Sequence, residues 1–126
     1  MADDIQGFVR ACSHGHLEVA QWLNDRCQFT REEMMADGNW AFGLACENGY
    51  LKVAQWLNDR CHFTRGEMMA GGNYAFKRSC SHGHLEVVQW LNDRCQFTRE
   101  ELMNAYYEND VPTTISNWVM ASYASR

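Results

Sequence analysis

The sequence contains very little proline and no long apolar segment. Pro112 is the single proline among 126 residues, and no apolar run approaches the roughly 20 residues that a membrane-spanning helix needs. The chain is nevertheless 46% hydrophobic and 21% charged, which is the composition of a globular protein rather than a disordered one. We therefore expect a single folded domain over residues 1–126, with no membrane as a partner.

Basic residues are also few. The 11 Lys and Arg residues stand against 16 Asp and Glu residues, so the formal net charge is −5. Because no basic stripe is available to neutralise phosphates, we do not expect nucleic acid as a partner. The first residues, Met-Ala-Asp-Asp, lack the basic and apolar regions of a signal peptide. The expected location is the cytoplasm, or the host cytosol if the source is a virus or an intracellular bacterium.

Cysteine is not scarce, and its spacing reveals a repeat. The six cysteines form two series with a spacing of 34 residues: Cys12, Cys46 and Cys80 in one, and Cys27, Cys61 and Cys95 in the other. At the same shift, residues 8–41 and 42–75 agree at 24 of 34 positions, and a third copy starts at Phe76. One unit of this size cannot bury its own apolar face, so tandem copies predict a solenoid of stacked units.

Each unit carries the end signals of a helix pair. Asn39 and Asn73 are the predicted N-caps of the first helix, which ends before Gly49 and Gly83. These glycines suit the left-handed residue that commonly follows a helix. A second helix is predicted from about residue 51 to residue 60.

A short third helix is predicted after each pair. Its signal is a threonine followed three residues later by a glutamate, the pattern of a capping box. The pairs are Thr30 with Glu33, Thr64 with Glu67, and Thr98 with Glu101. Gly38 and Gly72 are expected to close this helix. No segment alternates with period two for long enough to make a strand, so the predicted fold class is all-α.

Helical periodicity separates a packed face from a free face. On the first helix, Phe42, Ala45 and Cys46 share the side that is apolar or small in nearly every copy, while the opposite side differs between copies. On the second helix, the tryptophans lie on the apolar side. Trp22, Trp56 and Trp90 are therefore expected to form a buried ladder. The side with Gln55, Asn58 and Asp59 is expected to face solvent.

Residues 45–57, Ala-Cys-Glu-Asn-Gly-Tyr-Leu-Lys-Val-Ala-Gln-Trp-Leu, resemble the helix–turn–helix core of an ankyrin repeat, as do residues 11–23 and 79–91. The resemblance covers about residues 5–107, and the sequence is similar to divergent ankyrin arrays of protists, amoeba-associated bacteria and large DNA viruses. It implies antiparallel helix pairs stacked with their loops to one side. It also implies non-catalytic binding of a protein partner without a cofactor. The capping boxes predict a helical turn where the family has a β-hairpin finger.

The array is expected to hold repeats over about residues 5–38, 39–72 and 73–107, with a C-terminal cap over 113–126. Asp4 is the expected N-cap of the first helix. Residues 117–121, Asn-Trp-Val-Met-Ala, are similar to residues 39–43, Asn-Trp-Ala-Phe-Gly. We interpret them as the first helix of a truncated fourth unit that covers the end of the core.

Two alternatives would give the cysteines a chemical role. Residues 12–16 and 80–84 read Cys-Ser-His-Gly-His, but residues 46–50 have lost both histidines, and structural zinc needs four converging ligands. We predict no metal. Equivalent cysteines in stacked units should lie about 10 Å apart, beyond the roughly 7 Å Cα limit for a disulfide, so free thiols are expected.

A catalytic Cys–His pair is the enzymatic alternative. It needs an exposed, activated thiol and a third group that orients the base. Because an active site is normally built once rather than in each repeat, we predict that the protein is not an enzyme.

Two functions remain: a partner-binding module, or a structural or consensus-like scaffold with no specific ligand. The copies differ mainly on one face of the first helices, while Gln55, Asn58 and Asp59 do not vary, which favours binding. The predicted partner-binding residues are Val9, Arg10, Ser13, His14, Trp40, Leu44, Glu47, Asn48, Tyr74, Lys77, Arg78, Ser81 and His82.

This predicted surface combines aromatic anchors with positive charge. Trp40 and Tyr74 are of the types that dominate interface hot spots, and Arg10, Lys77 and Arg78 stand against the one acid, Glu47. We expect a monomer that binds an acidic or aromatic-bearing segment of a protein partner.

Overall fold

The computed structural model describes the backbone of residues 2–126 and the side chains from residue 4 onward. Within that part of the chain, ten helices and their turns make up the fold, and no strand is present. The helices are α1 (Ala2–Ser13), α2 (Leu17–Cys27), α3 (Arg31–Met34), α4 (Ala36–Glu47), α5 (Leu51–Cys61), α6 (Arg65–Met68), α7 (Ala70–Ser81), α8 (Leu85–Cys95), α9 (Arg99–Glu108) and α10 (Thr113–Ala124).

The helices form stacked pairs, which confirms the predicted solenoid. α1 packs on α2, α4 on α5 and α7 on α8, while α1, α4 and α7 lie side by side. We call α1–α3 unit 1, α4–α6 unit 2, and α7 and α8 with the start of α9 unit 3.

Glycine ends the first helix of each unit, as predicted. Gly15, Gly49 and Gly83 have φ between 76° and 80°, a conformation that costs glycine little. Each glycine is also covered by the next unit. A Cβ atom on Gly49 would lie 2.5 Å from His84 Nδ1. A side chain at this position would therefore both strain the backbone and separate the units.

The capping boxes of α3, α6 and α9 are all present. In the middle one, the Glu67 N–H donates to Thr64 Oγ1 over 3.1 Å, and the Thr64 N–H donates to Glu67 Oε1 over 2.8 Å. The predicted helical turn after each second helix is therefore confirmed. It takes the place of a hairpin finger in the residues that the structure describes.

The predicted asparagine caps are wrong. Asn39 is the third of three successive left-handed residues, with Asp37 and Gly38, and unit 3 repeats this turn at residues 71–73. The Asn39 side chain does not cap α4. Its Nδ2 donates to the backbone oxygen of Glu67 in α6 over 3.1 Å. Asparagine suits the position because it tolerates the left-handed region better than most residues.

The core is built from the phenylalanines of the first helices. Phe8, Phe42 and Phe76 are fully buried. Phe8 meets Trp56 with ring centroids 6.0 Å apart, and Phe42 meets Trp90 at 6.1 Å, so each tryptophan packs on the preceding unit. The predicted buried ladder is therefore wrong at Trp22, which is 56% exposed because it has no preceding unit to pack on among the described residues. Trp56 and Trp90 are half-buried rather than buried.

The back of the second helices is less exposed than predicted. Asp59 faces solvent, but Gln55 and Asn58 are half-buried. Asn58 Oδ1 accepts the Phe63 N–H over 3.1 Å. Asn24, its equivalent in unit 1, is buried. In unit 2 this asparagine therefore has a structural role at the end of the second helix.

The C-terminal helix α10 occupies the place of a second helix, not of a first helix as predicted. Pro112 covers Gly83 as His84 covers Gly49, and Trp118 packs on Phe76 with centroids 6.3 Å apart. Pro112 lies 28 residues after His84, so this last unit is six residues shorter than the repeat. α9 accordingly continues from its capping box without a left-handed turn.

Asp4 was the expected N-cap of the first helix. It lies inside α1 instead, because the helix starts two residues earlier, at Ala2.

Candidate functional site

The predicted binding residues lie along the free side of α1, α4 and α7. None of the thirteen is buried. Arg10, His14, Trp40, Asn48 and His82 are exposed, and the other eight are half-buried. Because the three helices stack side by side, these side chains form one surface across the units, here called the first-helix surface.

An aromatic pair lies at the centre of the first-helix surface. The rings of Trp40 and Tyr74 have centroids 5.2 Å apart at an angle of 52°. Gly43, one turn after Trp40, leaves room for this pair, since a Cβ atom there would lie 3.2 Å from Tyr74 Cδ1. Trp40 remains 40% exposed, so its other face is open to a ligand.

Two clefts flank Trp40. The first cleft, of about 220 Å³, lies towards unit 3, and its walls include Phe42, Met68, Gly71 and Tyr74. The second cleft, of about 330 Å³, lies towards unit 1 and is lined by Ile5, Gln6, Val9, Arg10, Asp37 and Trp40. Both clefts touch Asp37. Trp40 thus stands between two concave sites rather than on a flat face.

Several residues that line these clefts were missed by the reasoning from sequence. Ile5 and Gln6 precede the first aligned copy, and Asp37 and Gly71 belong to the left-handed turns. The available signal was the Asp-Gly-Asn and Gly-Gly-Asn sequences before the first helices, which are typical of turns. The prediction from sequence instead places a helix end at Gly38 and Gly72 and a cap at Asn39 and Asn73.

Glu47 gathers three side chains of unit 3. Tyr74 Oη donates to its carboxylate, Arg78 Nε donates to Oε2 over 3.0 Å, and His82 Nε2 lies 4.0 Å from the same atom. Partial burial would raise the pKa of Glu47, but the hydrogen bonds from Tyr74 and Arg78 outweigh it and hold that pKa below its usual value. The cluster fixes Tyr74 beside Trp40 and ties α4 to α7.

The positive charge of the surface is largely neutralised within the molecule. Arg78 is paired with Glu47, and Lys77 is paired with Glu108 of α9. Arg10 is exposed, and no carboxylate among the described side chains lies within 4.0 Å of it. The cation available to a ligand is therefore at the edge of the second cleft.

The turn end of the surface is held by local hydrogen bonds. Asn48 Nδ2 donates to the backbone oxygen of Ser13 over 2.8 Å and so joins α4 to α1. His14 and His82 each place Nδ1 2.8 Å from the carbonyl oxygen four residues earlier. Because a carbonyl only accepts, Nδ1 carries the hydrogen in both rings. These hydrogen bonds order the ends of the first helices.

The cysteine and histidine sequences do not assemble a reactive centre. Cys12 and Cys80 are fully buried on the packed side of their helices, and burial raises the pKa of each thiol to about 12. A protonated, buried thiol is neither a nucleophile nor a metal ligand. Among the described residues, no group of three or more His, Cys, Asp or Glu side chains is arranged to hold a metal ion. All six cysteines are free thiols.

The described helices are also too short or too polar to cross a membrane.

Comparison with known proteins gives one result. A family model for ankyrin repeats matches residues 8–101, in three copies. The searches of curated proteins and of solved structures returned no match.

Proposed function

Because the chain belongs to the ankyrin-repeat family, we propose that it is a non-catalytic module that binds a protein partner through its first-helix surface. The observation that carries this proposal is the half-open Trp40 ring between two clefts, at positions where the repeats differ in sequence. A hot-spot residue is typically an aromatic anchor at the centre of such a surface.

The chemistry around Trp40 favours an apolar or aromatic side chain of the partner. The first cleft has mainly apolar walls, with Phe42, Met68 and the Tyr74 ring among them. Arg10, the cation without a described partner, lines the second cleft. We propose that the partner segment places an aromatic or aliphatic side chain against Trp40 and an acidic side chain near Arg10.

The site of action that we propose is the cytoplasm. Six free thiols, of which Cys27 is exposed, are typical of a protein kept in a reducing compartment.

Selection from a displayed library of protein segments tests the proposal. Trp40→Ala should weaken the selected binders at least tenfold, about 1.4 kcal/mol, because the anchor of both clefts is lost. Arg10→Glu should weaken those binders that carry acidic residues and reduce their dependence on salt. Equilibrium binding by titration measures both effects.

Gln89→Ala is the matched control, since Gln89 is exposed on α8, the second helix of unit 3. It should leave affinity unchanged, and thermal unfolding should show that all variants are folded. Binders that tolerate Trp40→Ala and Arg10→Glu but not Gln89→Ala would place the site on the second helices. If no segment is enriched, the scaffold function is the correct one.

A further inference from the structure

The same residue types have very different exposure in unit 1 and in the later units. Val19 is 48% exposed, whereas its equivalents Val53 and Val87 are 2% and 1% exposed. Cys27 is exposed, whereas Cys61 is 2% exposed. The side chains are identical and lie at identical places in their helices, so the difference is the cover that a preceding unit gives to units 2 and 3 and that no unit among the described residues gives to unit 1.

The cover that units 2 and 3 receive is made by a repeated set of contacts. The tryptophan of each packs on the phenylalanine of the unit before it. An arginine of the preceding unit also reaches across. Arg31 Nε donates to the backbone oxygen of Cys61 over 2.7 Å, and its Nη2 pairs with Glu67. Arg65 makes the same two bonds to Cys95 and Glu101.

Unit 1 presents the receiving half of this interface. Five groups of unit 1 lie at the positions through which units 2 and 3 contact the unit before them. We call these groups the N-terminal face: His16, Val19, Trp22, the Cys27 backbone oxygen and Glu33. No arginine among the described residues lies within 4.0 Å of the Glu33 carboxylate. The face therefore combines an apolar patch with a carboxylate that pairs with none of the described arginines, in the register of the internal interfaces.

We propose that the N-terminal face is a docking surface for one further ankyrin unit of this same 34-residue type. Such a unit presents a phenylalanine to Trp22, an arginine to Cys27 and Glu33, and a glycine turn to His16. The two internal interfaces of the chain are continuous with this surface and define the geometry of the occupant.

A second copy of the chain does not supply that occupant. At the opposite end of the stack, Phe76 is already covered by Trp118, and Gly83 by Pro112. Arg99, the equivalent of Arg65, lies over the Tyr123 ring at 5.0 Å. The phenylalanine, glycine and arginine needed for docking are thus occupied by α10, so the chain does not join head to tail.

The test is an extended chain in which a second copy of residues 8–41 is inserted directly before Phe8. The added copy carries Cys27→Ser, so that the original Cys27 is the one thiol expected to react quickly. In the parent protein, we expect one fast thiol and a monomeric mass in solution. In the extended protein, alkylation of the original Cys27 should slow at least about tenfold, because a covered thiol reacts only through local opening.

A matched control keeps the added copy but carries Arg31→Ala within it, which removes the bonds to Cys27 and Glu33. Reactivity of the original Cys27 should then be partly restored. Unchanged alkylation in the extended protein, or an added copy that gives no new helical signal, would overturn the proposal. A parent protein that is dimeric with Cys27 protected would also overturn it, since the face would then be covered by a second copy.

Discussion

His84 occupies a repeat position whose residue type and burial differ from unit to unit. The His84 ring covers Gly49 of the preceding unit. At the equivalent position, Tyr50 of unit 2 covers Gly15 of unit 1, and His16 of unit 1 is exposed. Burial lowers the pKa of His84, and the neighbouring His82 lowers it further. The neutral ring is therefore the form that the interface between units 2 and 3 accepts.

This geometry predicts a loss of stability in mild acid. The folded-state pKa of His84 lies below the unfolded value of about 6.5, so the unfolded chain binds more protons as the pH falls through that value. The free energy of unfolding should be highest above about pH 6.5 and should decrease on acidification to pH 5.5. The pKa values of Glu47, Glu67 and Glu101 are lowered, so these carboxylates begin to titrate only at lower pH. Urea unfolding at pH 7.5 and 5.5 measures it.

His84→Tyr should remove most of this pH dependence, because Tyr50 already fills the equivalent place in unit 2. His16→Tyr is the control and should leave the dependence unchanged, since His16 is exposed. An undiminished loss of stability in the His84→Tyr variant would assign the effect to another group.

At the scale of the elements, the capping box of each short helix also joins the units. Glu67 accepts the Thr64 N–H inside its own helix turn, and it pairs with Arg31 of the preceding unit. The Arg31 hydrogen bond lowers the pKa of Glu67 most, followed by the bond from Thr64. Glu67 therefore takes part both in the cap of α6 and in the contact between units 1 and 2.

Removal of one arginine contact between units should lower the free energy of unfolding by a small but measurable amount. Arg65→Ala deletes the bonds to the Cys95 carbonyl and to Glu101, and we expect a loss of about 1 kcal/mol, since the arginine side chain is 44% exposed and screened by solvent. Chemical denaturation measures the loss. Arg60→Ala, at an exposed position on α5, should change stability by less than about 0.5 kcal/mol. Equal losses of stability in the two variants would mean that the Arg65 contacts between units contribute no more than an exposed arginine does.

At the scale of the whole molecule, the position of a unit in the stack decides what its residues contribute. Trp22 and Trp56 are the same residue in the same helix context, yet only Trp56 has a phenylalanine of a preceding unit to pack on. The Trp22 ring instead lies under the Arg26 guanidinium, 5.0 Å from its centroid.

Trp56→Ala should therefore destabilise the protein by about 2–3 kcal/mol, somewhat less than for a fully buried tryptophan because Trp56 is half-buried. Trp22→Ala should cost no more than about 1 kcal/mol, from the lost contact with Arg26. Thermal and urea unfolding of the two variants provide the comparison. Similar losses would show that the N-terminal face is covered in solution.

The helices and their ends could be predicted from the sequence because their signals are local. Gly49 must follow a helix whatever it packs on, and the Thr64–Glu67 box closes within four residues. The 34-residue period then implied stacking, since one unit cannot bury its own face. These inferences needed no knowledge of distant contacts.

The tertiary structure decided what depends on neighbouring units. The sequence repeats Trp22 and Trp56 identically, but only contact with a preceding unit buries the ring. α10 was misread because the similarity of its residues to those around Trp40 is local, whereas its place is set by packing on Phe76 and Gly83. The charge of the first-helix surface likewise depends on Glu108, which lies 31 residues from Lys77 in the sequence and pairs with it only in the folded stack. A repeat encodes its own helices, but each end of the array and each pairing between units arises from what lies beside it.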